Sequence, residues 1–420
     1  MKHLYSVMIL LLCIPSLIFS QYKDTTYINL GGAVRFNTMF TIYEGNTFKL
    51  PTENRNGIFW DVLRFEVDGK AKGIGFDYEY RVYPGFNCHF LKKGYLSYDF
   101  NSQYSLELGI TQKPFGMLPY LGNSWWFQLP YYVGLEDDYD TGIKLSHISD
   151  SGNFRWKIAY FIMAEPRGQS DPEYGSYTSA RYSYDVIPLD GYNGNKERNQ
   201  ANIWMEADIT NSITGGLSFE VGQIYNSNID ESTPHYAFSA HSSIDLGKKM
   251  NIKLQGTYYN YTDIKNDEGT KIVDYINMGA YGFGTYQAAK EATILSIGLS
   301  FHQPVNWGPI ESLTFYEDYS YMFKSGKINI SGQEFSFIDT QHNVLGFLVT
   351  AGFVYAYFDI ASGINQPWLS DSFGGTALST GRGENIGFAP GEETDQGEIN
   401  RLDDSPPFNT RFNINVGFYF

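Results

Sequence analysis

The amino-acid sequence predicts an all-β fold, a transmembrane antiparallel β-barrel of about 16 strands (about 18 is the alternative), with a constriction loop folded into the interior. Three observations predict it. Apolar and polar residues alternate with period two in segment after segment. The connections between these segments come in two sizes, short and long. The chain is also polar on average, with a mean hydropathy of -0.31, although 42% of its residues are hydrophobic and 17% aromatic. A wall with one lipid face and one wet face needs that mixture.

In chain order, the first segment is an export signal. Lys2 and His3 give a positive start, Leu4 to Phe19 is an apolar run broken by Pro15, and small Ser20 precedes Gln21. Residues 1–20 therefore read as a signal peptide and residues 21–420 as one barrel domain, placed in a Gram-negative outer membrane. The run is short for a spanning helix, and no later stretch is apolar enough to be one.

The first strand candidate is Ile28–Ile42. Its even positions include Leu30, Val34, Phe36 and Phe40, and its odd positions include Asn29, Arg35 and Asn37. Next, Leu63, Phe65 and Val67 alternate with Arg64, Glu66 and Asp68. After a turn at 69–73, Ile74, Phe76, Tyr78, Tyr80 and Val82 alternate with Asp77, Glu79 and Arg81. A sandwich interior could not hold these six charges together without a heavy desolvation cost, so the charged side of this hairpin is wet. The pattern recurs at 104–111, 153–162, 202–209, 236–246, 252–258, 295–301, 313–323 and 412–420. Weaker candidates lie at 90–100, 139–145, 215–224, 275–286, 334–339 and 343–361. These make seventeen, whereas closed bacterial barrels are usually even-stranded, and the parity is unfixed between Asp274 and Thr340. Short turns are expected at 69–73, 149–153, 210–214, 247–250 and 288–292, and long loops at 44–58, 112–138, 165–199 and 362–407.

On the polar parity the charges are mixed. Arg35, Arg64, Arg81 and Lys144 stand with Glu66, Asp68, Asp77, Glu79, Glu206 and Asp208 as pore-lining candidates. A barrel this wide has room for an aqueous lumen. The expectation is passive diffusion of small hydrophilic solutes or ions with weak selectivity, leaning towards cations. The 112–138 connection carries Phe115, Tyr120, Trp125, Trp126, Phe127, Tyr131 and Tyr132. So many rings would not stay in water, and folding inward would narrow the pore. For Trp125 and Trp126 a subunit interface is the competing placement.

Composition excludes several classes. A net charge of -16 argues against nucleic-acid binding. Only Cys88 remains beyond the signal segment, which leaves no disulfide framework and no Cys-rich metal site. No cofactor and no metal ion is expected. The acidic runs Glu136, Asp137, Asp138, Asp140 and Glu392, Glu393, Asp395, Asp403, Asp404 read as solvated loop charge rather than a Ca²⁺ site. Ser239, His241, Ser243 and Asp245 share one strand face, a pattern faintly similar to the outer-membrane phospholipases. Since Phe238, Ala240, Ile244 and Leu246 take the lipid side, His241 faces the lumen, where a lipid-directed site would be useless. The chain is therefore not expected to be an enzyme; the competing readings are a barrel enzyme acting on lipid and a secreted β-sandwich binding module.

Phe418 and Phe420 end the chain on an alternating strand, the terminal signal that barrel-insertion machinery recognises in outer-membrane proteins. The stretch Leu108-Gly109-Ile110-Thr111-Gln112-Lys113-Pro114-Phe115-Gly116 resembles the strand-then-loop segment of the phosphate-selective porin (O and P) family. Tyr139–Leu145, and more weakly Phe315–Ser320, are similar to that family too. The resemblance implies a sixteen-stranded homotrimeric porin in outer-membrane lipid, with Lys113, Pro114, Phe115 and Gly116 opening its constriction loop. Phosphate selectivity would need an Arg and Lys ladder, which the mixed lumen charges do not supply.

Overall fold

Alternation of this kind leaves every strand needing a partner on both edges, because unpaired backbone groups cannot be left in lipid. The computed structural model meets that need by closure. It describes residues 26–43, 58–170, 177–189, 193–272, 274–282, 285–330, 333–369, 376–382 and 406–420. The signal segment and the acidic run Glu392–Asp404 lie outside these residues.

Sixteen strands form the wall: β1 (Tyr27–Ile42), β2 (Phe59–Ala71), β3 (Ile74–Tyr83), β4 (Cys88–Asp99), β5 (Tyr104–Gln112), β6 (Tyr139–Ile148), β7 (Phe154–Ala164), β8 (Asn195–Thr210), β9 (Ile213–Asn226), β10 (Glu231–Leu246), β11 (Met250–Tyr261), β12 (Glu291–Trp307), β13 (Ile310–Ser325), β14 (Thr340–Ala351), β15 (Val354–Ile364) and β16 (Asn409–Tyr419). Each pairs antiparallel with its chain neighbours. β16 pairs back onto β1 from Ala33↔Tyr419 to Ile42↔Thr410, which closes the barrel. Phe420 seals the seam, since its N–H donates to Gly32 O at 3.1 Å and Gly32 N–H donates to its carbonyl at 3.0 Å.

The even count resolves the seventeen candidates. The apolar run 343–361 is two strands, β14 and β15, joined at Gly352-Phe353, where Gly352 adopts φ 58°. Phe353 is 72% exposed, so this turn is apolar and carries no polar signal in the sequence. Residues 275–286 and 334–339 do not enter the wall. Tyr275–Gly279 pairs with Tyr286–Ala289 and with Asp185–Val186, and Gln333–Ser336 pairs with Lys327–Ile330. The turn expected at 288–292 is absent for the same reason: Ala288 and Ala289 belong to the loop sheet and the wall resumes at Glu291.

One rim carries short turns, among them Lys72-Gly73, whose paired positive φ values of 52° and 78° match the twist of the strands they join. The other rim carries the long connections. Leu30, Ile209, Phe219, Leu295 and Leu345 stand exposed on the outer wall, with Trp60, Tyr80, Tyr160 and Tyr236 towards the long-loop rim and Phe301, Trp307 and Phe353 towards the short-turn rim. Two aromatic girdles around an apolar band are what a bilayer selects. Phe418 takes the same outer face.

Candidate functional site

Charges on the inner parity are paired both along strands and diagonally across to neighbouring strands. Cross-strand register sets Arg64 opposite Arg81, Glu66 opposite Glu79 and Asp68 opposite Asp77. Like charges directly opposite repel. Sign alternates at every second residue, however, so Arg64 ion-pairs with Glu66 and, at 3.5 Å, with Glu79, while Arg81 ion-pairs with Glu79. Asp77 takes Lys93 at 2.8 Å and Asp68 accepts from Asn29 at 3.1 Å.

Across this wall lies the connection 113–138, inside the barrel. Its backbone is held by side chains of the far strands. Gly116 N–H donates to Ser218 Oγ at 2.9 Å, and Met117 N–H to Gln255 Oε1 at 2.8 Å. The N–H groups of Asn123 and Ser124 both donate to Asp318 Oδ2 at 2.7 Å. Gln128 Nε2 donates to Ile297 O at 3.0 Å, and Trp204 Nε1 to Gly116 O at 2.8 Å. The loop thus crosses from β5 to β8, β9 and β11–β13. Trp126 packs against Tyr316, Val344 and Leu369 inside the barrel, which removes the subunit-interface placement for it. Trp125 lies beside it and under the Arg35 guanidinium at 5.3 Å.

Two further segments join this loop, one that periodicity did not mark and one that it read as a weak wall strand. Residues 177–189 and the Tyr275–Ala289 region bring in Tyr182, Tyr184, Tyr281 and Tyr286, all buried against Tyr131 and Tyr132. The rings meet mostly edge to face, as quadrupoles prefer; Tyr131 and Tyr184 lie 5.1 Å apart at 74°. The long-loop half of the lumen therefore has a tyrosine core of its own. The cue present in the sequence is the clustering of tyrosine at 182, 184, 281 and 286 within long connections.

Between this core and the β1–β4 wall is a cavity of about 350 Å³. It brings together Arg35, Arg64, Glu79 and Arg81 of the expected lining with Trp125 and Trp126 of the loop, and adds Asp61, Lys92, Asp137 and Arg411. Cations lie over rings: Arg411 over Trp126 at 4.8 Å, Arg81 over Tyr182 at 4.6 Å, and Lys92 over Tyr182 at 4.2 Å. Arg35 pairs with Asp61 at 2.6 Å and Lys92 with Asp137 at 3.4 Å.

The remaining expected residues sit elsewhere. Lys144 is buried, paired with Glu107 at 2.8 Å and donating to Thr111 Oγ1 at 2.8 Å. Glu206 and Asp208 both pair with Arg155, at 3.0 and 2.6 Å. Glu66, Asp68 and Asp77 lie nearer the short-turn rim and do not line the cavity. Lys113 is buried and in ion-pair range of Asp138, Asp140 (3.8 Å), Glu220 (3.7 Å) and Glu197 (4.0 Å). Burial opposes its charge, but these carboxylates outweigh burial and hold its pKa well above the usual lysine range. Pro114, Phe115 and Gly116 are buried beside it. The acidic run Glu136, Asp137, Asp138, Asp140 is not solvated: all four are buried where the loop re-enters the wall. Burial pushes Glu136 up to about 8, even though the Leu121 and Gly122 N–H groups donate to it at 3.0 and 3.5 Å.

The serine and histidine constellation on β10 is not assembled for nucleophilic chemistry. His241 Nε2 meets Glu206 at 3.2 Å, Ser239 Oγ accepts from Thr257 at 3.1 Å, and Ser243 Oγ accepts from Asn251 at 2.9 Å. Within hydrogen-bond reach of His241, then, stands a carboxylate and not a serine.

Among solved structures the fold is similar to the outer membrane channel DcaP of Acinetobacter baumannii, at 10% identity and a TM-score of 0.53 over 96% of this chain and 100% of that one. It is equally similar to Salmonella typhi OmpF in complex with daunomycin, at 9% identity and 0.53 over 95% and 99%. OmpT of Vibrio cholerae matches at 11% identity and 0.51 over 95% and 99%. No protein-family model matches the chain, and no curated protein does. At such identities the likeness establishes the closed barrel architecture that these outer-membrane proteins share.

Proposed function

We infer that this protein is a porin of the Gram-negative outer membrane, exported by residues 1–20, through which small hydrophilic solutes diffuse passively. The observation that carries the reading is the loop 113–138, held across a closed sixteen-stranded barrel by hydrogen bonds to β8, β9, β11, β12 and β13 on the far side. A barrel meant only as a lipid anchor gains nothing from a polar interior narrowed in this way, whereas a sieve needs a fixed aperture. Homotrimer assembly in outer-membrane lipid, and recognition of Phe418 and Phe420 by the insertion machinery, belong to the same reading.

Selectivity is weak. Five cations and three carboxylates line the cavity, so its surplus is slightly basic although the chain is acidic overall. The cationic lean suggested by composition is therefore not carried into the aperture, and a slight anion preference is expected. Phosphate specificity has little support, because Lys113 is occupied by carboxylates and away from the cavity. The β10 face offers His241 a carboxylate, Glu206, in place of a nucleophile, which leaves the lipid-directed enzyme reading without support there. Reversal potentials in a salt gradient test the reading: a small anion preference that R411Q removes is expected, and strong cation selectivity would contradict it.

A further inference from the structure

At the root of the constriction loop six buried carboxylates face one buried cation and one partly buried cation. Asp138, Asp140, Asp185, Glu165, Glu197 and Glu220 surround Lys113 and Arg181. Lys113 answers Asp138 most closely, and Arg181 answers Asp185 Oδ2 at 2.8 Å. Two cations cannot neutralise six carboxylates, and uncompensated charge in such a place is costly. The excess is focused at one point. Asp138, Asp140 and Asp185 each offer an oxygen, and the three oxygens lie within 4.8 Å of one another. Asp140 is 1% exposed and Asp185 0% exposed, yet Oδ1 of each has no hydrogen-bond partner. Glu165 Oε2 is also buried without a partner, while its Oε1 accepts from Ser183 N–H at 2.8 Å.

We propose that Asp138, Asp140 and Asp185 hold a divalent cation of the Ca²⁺ class, with Glu165 as a further oxygen donor. Oxygens this close fit one coordination shell, since Ca²⁺ takes oxygen ligands at about 2.3–2.6 Å and ligands on opposite sides of it then lie roughly 5 Å apart. An all-carboxylate donor set suits a hard cation and not a thiol- or imidazole-seeking metal. The ligands also belong to different pieces of the molecule. Asp138 ends the constriction loop, Asp140 is the second residue of β6, and Asp185 begins the short strand that pairs with Met278–Gly279. A cation there would rivet the aperture to the tyrosine core. Burial raises Asp138 to about 7 and Glu165 well above the usual carboxylate range, so protons are the competing means of neutralisation.

The competition decides the test. The full chain is folded in detergent with Ca²⁺, desalted and analysed for bound metal, then melted at pH 7.5 with Ca²⁺, with Mg²⁺ or with EDTA. Retention of about one Ca²⁺ per chain, a higher melting midpoint in Ca²⁺ than in EDTA, and loss of both in D140N/D185N are expected. Should that variant not fold, Tb³⁺ emission excited through the adjacent Tyr139 and Tyr184 of the wild-type protein, and quenched on adding Ca²⁺, serves instead. A wild-type protein that retains no metal, shows no Tb³⁺ emission and gains stability only on acidification would overturn the site in favour of protonated carboxylates.

Discussion

Single side chains at the loop root carry the largest individual stakes. Lys113 stands where its type was expected, but its task is different: it neutralises carboxylates rather than lining a path for anions. Lys113→Met leaves those groups buried and unanswered, so a loss of about 3–5 kcal/mol is expected, read as a lower midpoint of heat modification in EDTA. Glu136 gives a pH signature. Its folded-state pKa of about 8 lies above the ordinary 4.5, so the folded protein binds the extra proton between these values and stability falls as pH rises through that window. Melting at pH 5 and pH 8 should show this slope, reduced but not abolished in Glu136→Gln because Asp138 and Glu165 are raised in the same direction. None of this was legible beforehand, because a run such as Glu-Asp-Asp looks the same in water or buried. Only the neighbours supplied by residues 177–189 and β8–β9 decide which it is. Residue parity, by contrast, was legible: Arg35, Arg64, Glu79 and Arg81 reached the inner face because period two is local geometry.

Whole strands were easiest to read where their faces differ most in polarity, as at 61–83, and hardest where both faces are apolar. At 343–361 the turn is Gly352-Phe353, with an exposed aromatic ring rather than a polar residue at its tip, so two strands read as one. Alternation at 275–286 and 334–339 reports a two-faced strand and not the sheet it joins. The constriction loop was found by its rings, and its anchors were not, since Ser218, Gln255 and Asp318 gain their meaning only from barrel closure. Asp318 accepts from two loop N–H groups and from Asn123 Nδ2 at 2.8 Å. Charge-assisted bonds of this kind contribute about 1.5–3 kcal/mol each. Asp318→Ala should therefore free the middle of the loop without unfolding the wall, giving noisier single-channel steps while heat modifiability stays intact. Steps as quiet as the parent's would show that the remaining anchors suffice.

The molecule as a whole is an amphipathic sheet closed on itself, with its seam completed by the last residue. Deleting Phe420 removes two backbone hydrogen bonds to Gly32 and the terminal ring, and lower outer-membrane levels are expected with unchanged synthesis. The interior is narrowed by loops from several parts of the chain, which makes an open path the central claim. Planar-bilayer conductance of the refolded, heat-modifiable protein tests it most directly. Stable steps that scale with salt concentration, and that grow by about a factor of two or more when residues 119–127 are replaced by a short glycine linker, are the predicted result. A correctly folded barrel that conducts nothing until those residues are removed would contradict the account and make the tyrosine core and its loop a plug.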